Sequence, residues 1–331
     1  MTRCLDANKN LNIQIVNDSV EISPCCLHST HPVTTIDFTN DITLSKIRNQ
    51  FDQNEWPAVC AEQCLTQEKL GKTSRRQGSN QWYKDNGLDN NDVELIRLDY
   101  WTGDICNLKC AICGPNNSSA WKEELKIPII ERKPSINQTW NDLDLTKLQF
   151  IHFNGGEPLL SKEHVSFLES IPNPATVHIN YNTNGTIRPT KHLIELWSKF
   201  KLVLLDFSID DIGERFEYQR YPAKWDQVTE NLQWYIDTMP VNCMFAVNTT
   251  VGVLNESNLD NLNLWLQQNF SHNRVTDPID HRQQPCYGIF TTSNTDWNMV
   301  VKNLNELDLR RGINWRDTFP ELSQKIQAYN L

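Results

Sequence analysis

The chain has 331 residues, 39 % of them hydrophobic, with 31 Lys and Arg against 41 Asp and Glu for a net charge of −10. That length accommodates one α/β barrel of about 200–250 residues plus an appendage, and the acidic balance argues against binding along nucleic acid backbones, though not against a small basic site. No apolar run approaches a membrane span and the first 20 residues lack an apolar leader core, so a soluble cytoplasmic protein with no membrane partner is expected, in which the ten cysteines are thiols or metal ligands rather than disulfides.

In chain order, residues 1–91 hold Cys4, Cys25, Cys26, Cys60 and Cys64 among short apolar stretches and polar loops. A basic run from Lys69 to Arg76 carries four cations in eight residues and reads as a solvated face or as a patch beside substrate or cofactor. Near residue 92 the pattern changes. Apolar or β-rich runs recur at Val93–Trp101, Leu148–Phe153, Thr176–Asn182, Leu202–Ile209, Cys243–Val251 and, less clearly, Cys286–Thr292. Helical patterns lie between and after them at Lys162–Ile171, Lys191–Phe200, Trp225–Ile236, Leu259–Phe270 and Asp296–Leu307. Strands too apolar for a solvated face imply a parallel sheet covered by helices, which right-handed crossovers curl into a barrel or an open part of one. The expected organisation is an N-terminal segment over 1–91, a six-unit barrel over 92–310 and a C-terminal tail over 311–331 packed on the barrel. Cys243 and Cys286 on predicted strands read as buried small hydrophobes. None of the eight histidines has metal-ligand spacing, and the eleven tryptophans recur mostly on helical faces, where packing is their role.

Barrel enzymes place their chemistry at the C-terminal ends of strands. Four consecutive strand ends here carry Gly, Cys, Asn, Ser or acidic residues: "GDICNLKCAIC" after the first, "NGGEP" after the second, "NTNGT" after the third and "SIDD" after the fourth. Within the first, Cys106, Cys110 and Cys113 put three soft ligands into eight residues. Three is one short of a closed zinc site and odd for a disulfide framework, so another group is expected in the fourth position.

Cx3CxxC after a first strand, GGEP after a second and a partial barrel behind them resemble the radical S-adenosylmethionine (SAM) enzymes. The resemblance implies an α/β fold with a partial (β/α)6 TIM barrel, in which Cys106, Cys110 and Cys113 bind three irons of a [4Fe-4S] cluster and the amino and carboxylate groups of SAM take the open iron. Reductive cleavage of SAM would give a 5′-deoxyadenosyl radical that removes a hydrogen atom from substrate, chemistry that belongs to the cofactor. The residue before the last cysteine, usually aromatic in that family, is Ile112, which gives apolar cover beside the adenine. By the same resemblance Asn154, Gly155, Gly156, Glu157 and Pro158 meet the SAM amino group, with Glu157 shaping the turn. Asn182 and Asn184 face the ribose or carboxylate, or else cap loops. Ser208 and Asp210 stand next around the rim, and Arg220 resembles the arginine that relatives aim at the SAM carboxylate.

The N-terminal cysteines resemble the cysteine-rich region of the twitch/SPASM subgroup, whose members carry one or two auxiliary iron-sulfur clusters, commonly after the barrel rather than before it. The ligand set so implied for a second [4Fe-4S] cluster is Cys4, Cys25, Cys60 and Cys64, with Cys26 as a substitute; a structural zinc site is the competing reading. Relatives of that subgroup act on ribosomal peptides, protein side chains, sugars and small metabolites. A peptide or amino-acid-derived substrate is therefore expected first, a nucleotide or nucleic acid second, and a non-catalytic iron-sulfur scaffold or sensor third. An external electron donor such as flavodoxin or ferredoxin is implied as a partner.

Overall fold

The computed structural model describes residues 2–16, 19–128, 143–270, 280–282 and 296–328. Its strands are β1 (Asn10–Val16), β2 (Ser19–Ser23), β3 (His31–Val33), β4 (Arg97–Trp101), β5 (Phe150–Asn154), β6 (His178–Thr183), β7 (Leu202–Ser208), β8 (Cys243–Thr250) and β9 (Asp280–Arg282), joined in one open sheet of order β3-β2-β1-β4-β5-β6-β7-β8-β9. Every pair from β1–β4 to β8–β9 is parallel, while β2 and β3 extend the β1 edge antiparallel. Strands β4–β9 form the expected α/β partial barrel.

Five of these barrel strands coincide with the runs that the sequence marks, β4, β7 and β8 wholly within them and β5 and β6 ending one residue beyond. The sixth is β9, upstream of the predicted Cys286–Thr292, which lies outside the described residues together with Cys286. The sheet also runs across residue 92, because β1 pairs with β4 from Asn10↔Arg97 to Ile13↔Tyr100. The stretch "NLNIQIV" alternates, and its Leu11 and Ile13 are buried in the main core.

The longer helices among the described residues are α1 (Ile42–Asp52), α2 (Arg75–Asp85), α3 (Glu163–Glu169), α4 (Lys191–Trp197), α5 (Gly213–Gln219), α6 (Trp225–Thr238), α7 (Leu259–Asn269), α8 (Trp297–Arg311) and α9 (Pro320–Gln327). Local chemistry sets their ends. Ser74 and Gln77 close a capping box at α2, the Thr190 and Asp296 side chains accept from backbone N–H groups of α4 and α8, and Gly312 in the left-handed region ends α8. Helices α3, α4, α6 and α7 bury Phe167, Trp197, Leu232 and Leu266 against Phe153, Tyr181, Phe207 and Phe245 on the outer face of the sheet. Phe153 stacks on Tyr181 with ring centroids 4.8 Å apart, and the Trp197 indole donates to the Tyr181 hydroxyl at 3.2 Å. A second cluster seats Trp315, Phe319 and Leu322 from the C-terminal residues against Tyr218, Val253 and Leu304.

The strands were expected to lack a solvated face, and that holds only on the outer side. The alternating positions His152 and Asn154, Asn180 and Asn182, Ser208, and Asn248 and Thr250 are half-buried and polar. They face the barrel lumen, which is open to water and places hydrogen-bonding groups below the strand ends.

Candidate functional site

The loop after β4 carries Cys106, Cys110 and Cys113, and its backbone is held from three sides. The Lys109 and Ala111 N–H groups donate to the Tyr221 and Gln219 carbonyls at 2.6 and 2.7 Å. The Trp121 indole donates to the Cys110 carbonyl at 3.1 Å, and Arg311 at the end of α8 donates through Nη2 to the Lys109 carbonyl at 2.7 Å. Cys110 is buried and its two partners are half-buried. Burial pushes the Cys106 thiol up to about 11 and the Cys110 thiol up to about 12, and raises Cys113 as well; the charges of its neighbours raise Cys110 further, while Arg220 opposes the rise in all three. These sulfurs need a strong local positive charge to become thiolates, which the irons of a cluster provide. The donor set fits a [4Fe-4S] cube with one iron left open: three soft ligands on one short loop, mutually close, with a cation alongside. Ile112, between them, is half-buried and packs against the main core.

The glycines after β5 make room for that loop. Gly155 has φ +121°, and a Cβ there would meet the Gly103 carbonyl oxygen at 2.5 Å; a Cβ on Gly156 would meet the Ile105 oxygen at 2.3 Å. The Gly156 and Glu157 N–H groups donate to the Gly103 and Ile105 carbonyls, both at 2.7 Å, so the second strand end is laced to the cysteine loop. Glu157 then braces the third. Its carboxylate, 1 % exposed, accepts from the Asn184 N–H at 2.7 Å, the Thr183 hydroxyl at 2.9 Å and the Leu159 N–H at 3.1 Å. Burial lifts its pKa to about 7 against these bonds. Pro158 is buried at the start of a short 3₁₀ turn, Pro158–Leu160.

The other expected site residues divide into committed and available groups. Asn184 donates to the Asn107 side chain at 3.0 Å and accepts from Thr186, so it ties the third strand end to the cysteine loop and caps its own turn. Asn182 accepts from His152 Nε2 at 2.9 Å. Asp210 is buried and takes Nε and Nη2 of Arg220 on one oxygen, both at 2.8 Å, and the Thr250 N–H on the other. Arg220 thus arrives beside the three thiols with part of its fork already spent, and its Nη1 makes no hydrogen bond among the described residues. Although burial works against the cation, Asp210 and Cys110 hold the Arg220 pKa above its ordinary value.

Behind this rim lies a cavity of about 490 Å³ lined by Cys26, Leu27, Arg75, His152, Asn154, Asn182, Ser208, Asn248 and Thr250. The sequence reading missed His152, Asn248 and Thr250, whose signal is polar residues at every second place in otherwise apolar strands. It also left Arg75 unresolved. That side chain donates to Asp6 at 3.1 Å, to Asp99 on β4 at 2.6 Å and to the Cys26 sulfur at 3.2 Å. The basic run therefore splits. Lys69 and Lys72 are exposed, Arg76 pairs with Glu68, and Arg75 points inward.

Of the N-terminal cysteines, Cys4 lies within electrostatic reach of Cys25 and Cys60, and Cys60 of Cys64; burial is the main cause that raises Cys4, Cys25 and Cys60, the last to about 11. Cys60 and Cys64 sit on consecutive helical turns, Cys64 in the wide-wound stretch Ala61–Leu65, and Cys4 and Cys60 pack beside Ile47 and Phe51 of α1. Cys26 diverges from Cys25 and faces the cavity. Among the described residues no three Cys, His, Asp or Glu side chains converge on a single-ion site; a cube instead asks each sulfur for its own iron. Cys243 is buried in β8.

Residues 102–263 match the family model described as the radical SAM superfamily. Among solved structures, the chain is similar to native anSMEcpe with bound AdoMet (16 % identity, 66 % of this chain and 62 % of that one, TM-score 0.40), to Streptococcus suis SuiB bound to S-adenosylmethionine (12 %, 91 % and 69 %, 0.42) and to TYW1 with a lysine-pyruvate adduct bound (11 %, 65 % and 70 %, 0.35). It thus spans 62 % of the length of anSMEcpe. No match is found among curated proteins. The family match begins at the cysteine loop and takes in all four strand ends braced around it, so that it is the segment 102–263, rather than the whole chain, that matches the radical SAM superfamily.

Proposed function

We propose that the protein is a radical SAM enzyme acting on a peptide or amino-acid-derived substrate, with a second, auxiliary [4Fe-4S] cluster on its N-terminal cysteines. The observation that carries the proposal is the loop of Cys106, Cys110 and Cys113, locked by the Gly155–Gly156 backbone and left with three ligands rather than four. When bound, the cluster and SAM supply a 5′-deoxyadenosyl radical able to remove a hydrogen atom from substrate. The chain's own part is to hold and orient. The three thiolates fix the cube. The backbone of Asn154–Pro158 lies against the same loop, where it would meet the SAM amino group, while Arg220 offers Nη1 to the SAM carboxylate and Ile112 covers the adenine. Asn182 and Ser208 stand at the border between SAM and the lumen.

The auxiliary reading rests on the nearness of Cys4 to Cys25 and Cys60 and of Cys60 to Cys64. Cys26, which lines the cavity, would face substrate there and is the less suited to serve as the substitute ligand. The peptide reading rests on the twitch/SPASM-like cysteines and on a lumen of neutral hydrogen-bonding groups. SuiB has been described bound to its precursor peptide SuiA, and anSMEcpe with the Kp18Cys peptide; the substrate proposal does not depend on them. A flavodoxin or ferredoxin would supply electrons from outside. Among the described residues no helix is long and apolar enough to cross a membrane.

Anaerobically reconstituted protein should hold about eight irons per chain and, with dithionite and SAM, release 5′-deoxyadenosine, whereas Cys110→Ala should release none. Iron-replete wild type that releases none defeats the enzyme reading. Four irons with one zinc defeats only the auxiliary cluster.

A further inference from the structure

The lumen cavity lies beside the cysteine loop rather than in it, since none of its lining residues belongs to 102–118. It is walled by the ends of β5 to β8 and by Cys26, Leu27 and Arg75 from the N-terminal segment. Its lining is unusual in what is left unpaired. The side chains of Asn154, Ser208, Asn248 and Thr250 make no hydrogen bond among the described residues, and Asn182 engages only its oxygen, with His152. Four successive parallel strands thus aim amide or hydroxyl groups at one space, half-buried and, apart from the Asn182 oxygen, without partners among the described residues, so that they stay free to bond to an occupant.

Among the described residues Arg75 is the lining cation, and its donors are already taken by Asp6, Asp99 and Cys26. Asp99 is buried and also lies 3.5 Å from His152 Nδ1, and Asp206 accepts from Asn180 at 3.2 Å. An anion entering would find its cation engaged, and a cation would face Arg75. Among the described residues no Phe, Tyr or Trp lines the space, so they offer no aromatic platform for a nucleobase to stack on. An apolar occupant would strip water from the amides and hydroxyls and return nothing.

We infer that this cavity receives the reacting residue of the peptide substrate, and that this residue carries an uncharged hydrogen-bonding side chain, a hydroxyl or a carboxamide. The assignment rests on the peptide reading above. Asn248 and Thr250, on the wall farthest in sheet order from the cysteine loop, would be specificity-determining residues that touch the substrate side chain, while Arg75 positions the N-terminal segment over the opening.

The test uses acetyl-Gly-Xaa-Gly-amide peptides with Xaa = Ser, Asn, Asp, Lys or Trp, and a neutral hexose, each titrated against the reconstituted protein by ligand-observed saturation-transfer NMR. The Ser and Asn peptides should give signals at least threefold above the rest, and Asn248→Leu, which fills the cavity, should remove that advantage. Thr250→Val, nearly isosteric, should halve it or more, which guards against loss of fold in the leucine variant. Peptides deuterated at the reacting residue should pass deuterium to 5′-deoxyadenosine in the same order. A preference for Asp, Lys or Trp overturns the inference and leaves the peptide reading standing. A hexose that binds in place of every peptide overturns both, as does silence from all ligands; neither touches the SAM-cleavage reading, which the release of 5′-deoxyadenosine measures separately.

Discussion

Replacing Gly156 by alanine presses on the contact that joins the two most characteristic loops of the fold. The added Cβ would lie 2.3 Å from the Ile105 oxygen, 2.7 Å from its carbonyl carbon and 2.9 Å from the Asp104 carbonyl carbon, all backbone atoms. Ordinary contact begins at 3.4 Å, so one strand must withdraw by about 1 Å, and displacements of that size cost on the order of 100-fold when they separate reacting groups. The 2.7 Å bond from Glu157 N–H to the Ile105 carbonyl stretches with it. Overpacking and the lost bond together destabilise by about 2–4 kcal/mol. Gly78, inside α2, has nothing within 4 Å of an added Cβ, so Gly78→Ala is the matched control and should gain about 0.5–1 kcal/mol. Denaturant unfolding and 5′-deoxyadenosine release, measured on both, separate the effects. Gly156→Ala that cleaves SAM at the wild-type rate would refute the claim that these glycines position the cysteine loop.

Two further outcomes follow from single side chains. Arg220→Lys keeps the charge but cannot span Asp210 and a carboxylate together; SAM affinity measured by calorimetry should fall about tenfold, and an unchanged value moves Arg220 to a purely structural role on Asp210. His164 is fully buried between Phe153 and Tyr181, with Nε2 unpaired, and burial holds it down at about 4 against an ordinary 6.5. The folded state therefore resists protonation that the unfolded state accepts: the His164 contribution is complete above pH 6.5 and is lost by about 3 kcal/mol as pH drops toward 4; because the raised Glu157 contributes with the opposite sign over a similar window, the loss should be read by denaturant titrations as the change with pH in the stability difference between wild type and His164→Leu.

Much of the site was legible because it depends on residue types with few other uses. Three cysteines at close spacing and paired glycines after a strand mark their places whatever the packing around them. The five strands β4–β8 were legible from the apolar residues that face the helices, such as Phe153 and Phe207. Their lumen partners were read past, because His152, Asn180 and Asn248 look like interruptions of an apolar run until the sheet shows that they share one half-buried face. β1 was missed for a related reason: its Leu11 and Ile13 alternate with asparagine and glutamine, and pairing with β4, over 80 residues away, is what makes the strand. The capping of its own turn by Asn184 was among the readings offered, but the role of Arg75 and the tie from Asn184 to the cysteine loop could not be read locally. Each is defined by partners on other elements, Asp6 and Asp99 for one and Asn107 for the other.

The most direct test of the open iron is the electron paramagnetic resonance spectrum of the dithionite-reduced protein with and without SAM. If Cys106, Cys110 and Cys113 hold a cube whose fourth iron takes its ligands from SAM, adding SAM should change the signal of one reduced four-iron cluster, and the change should be absent from Cys110→Ala while any auxiliary signal persists. A spectrum indifferent to SAM in iron-replete wild type would contradict the account.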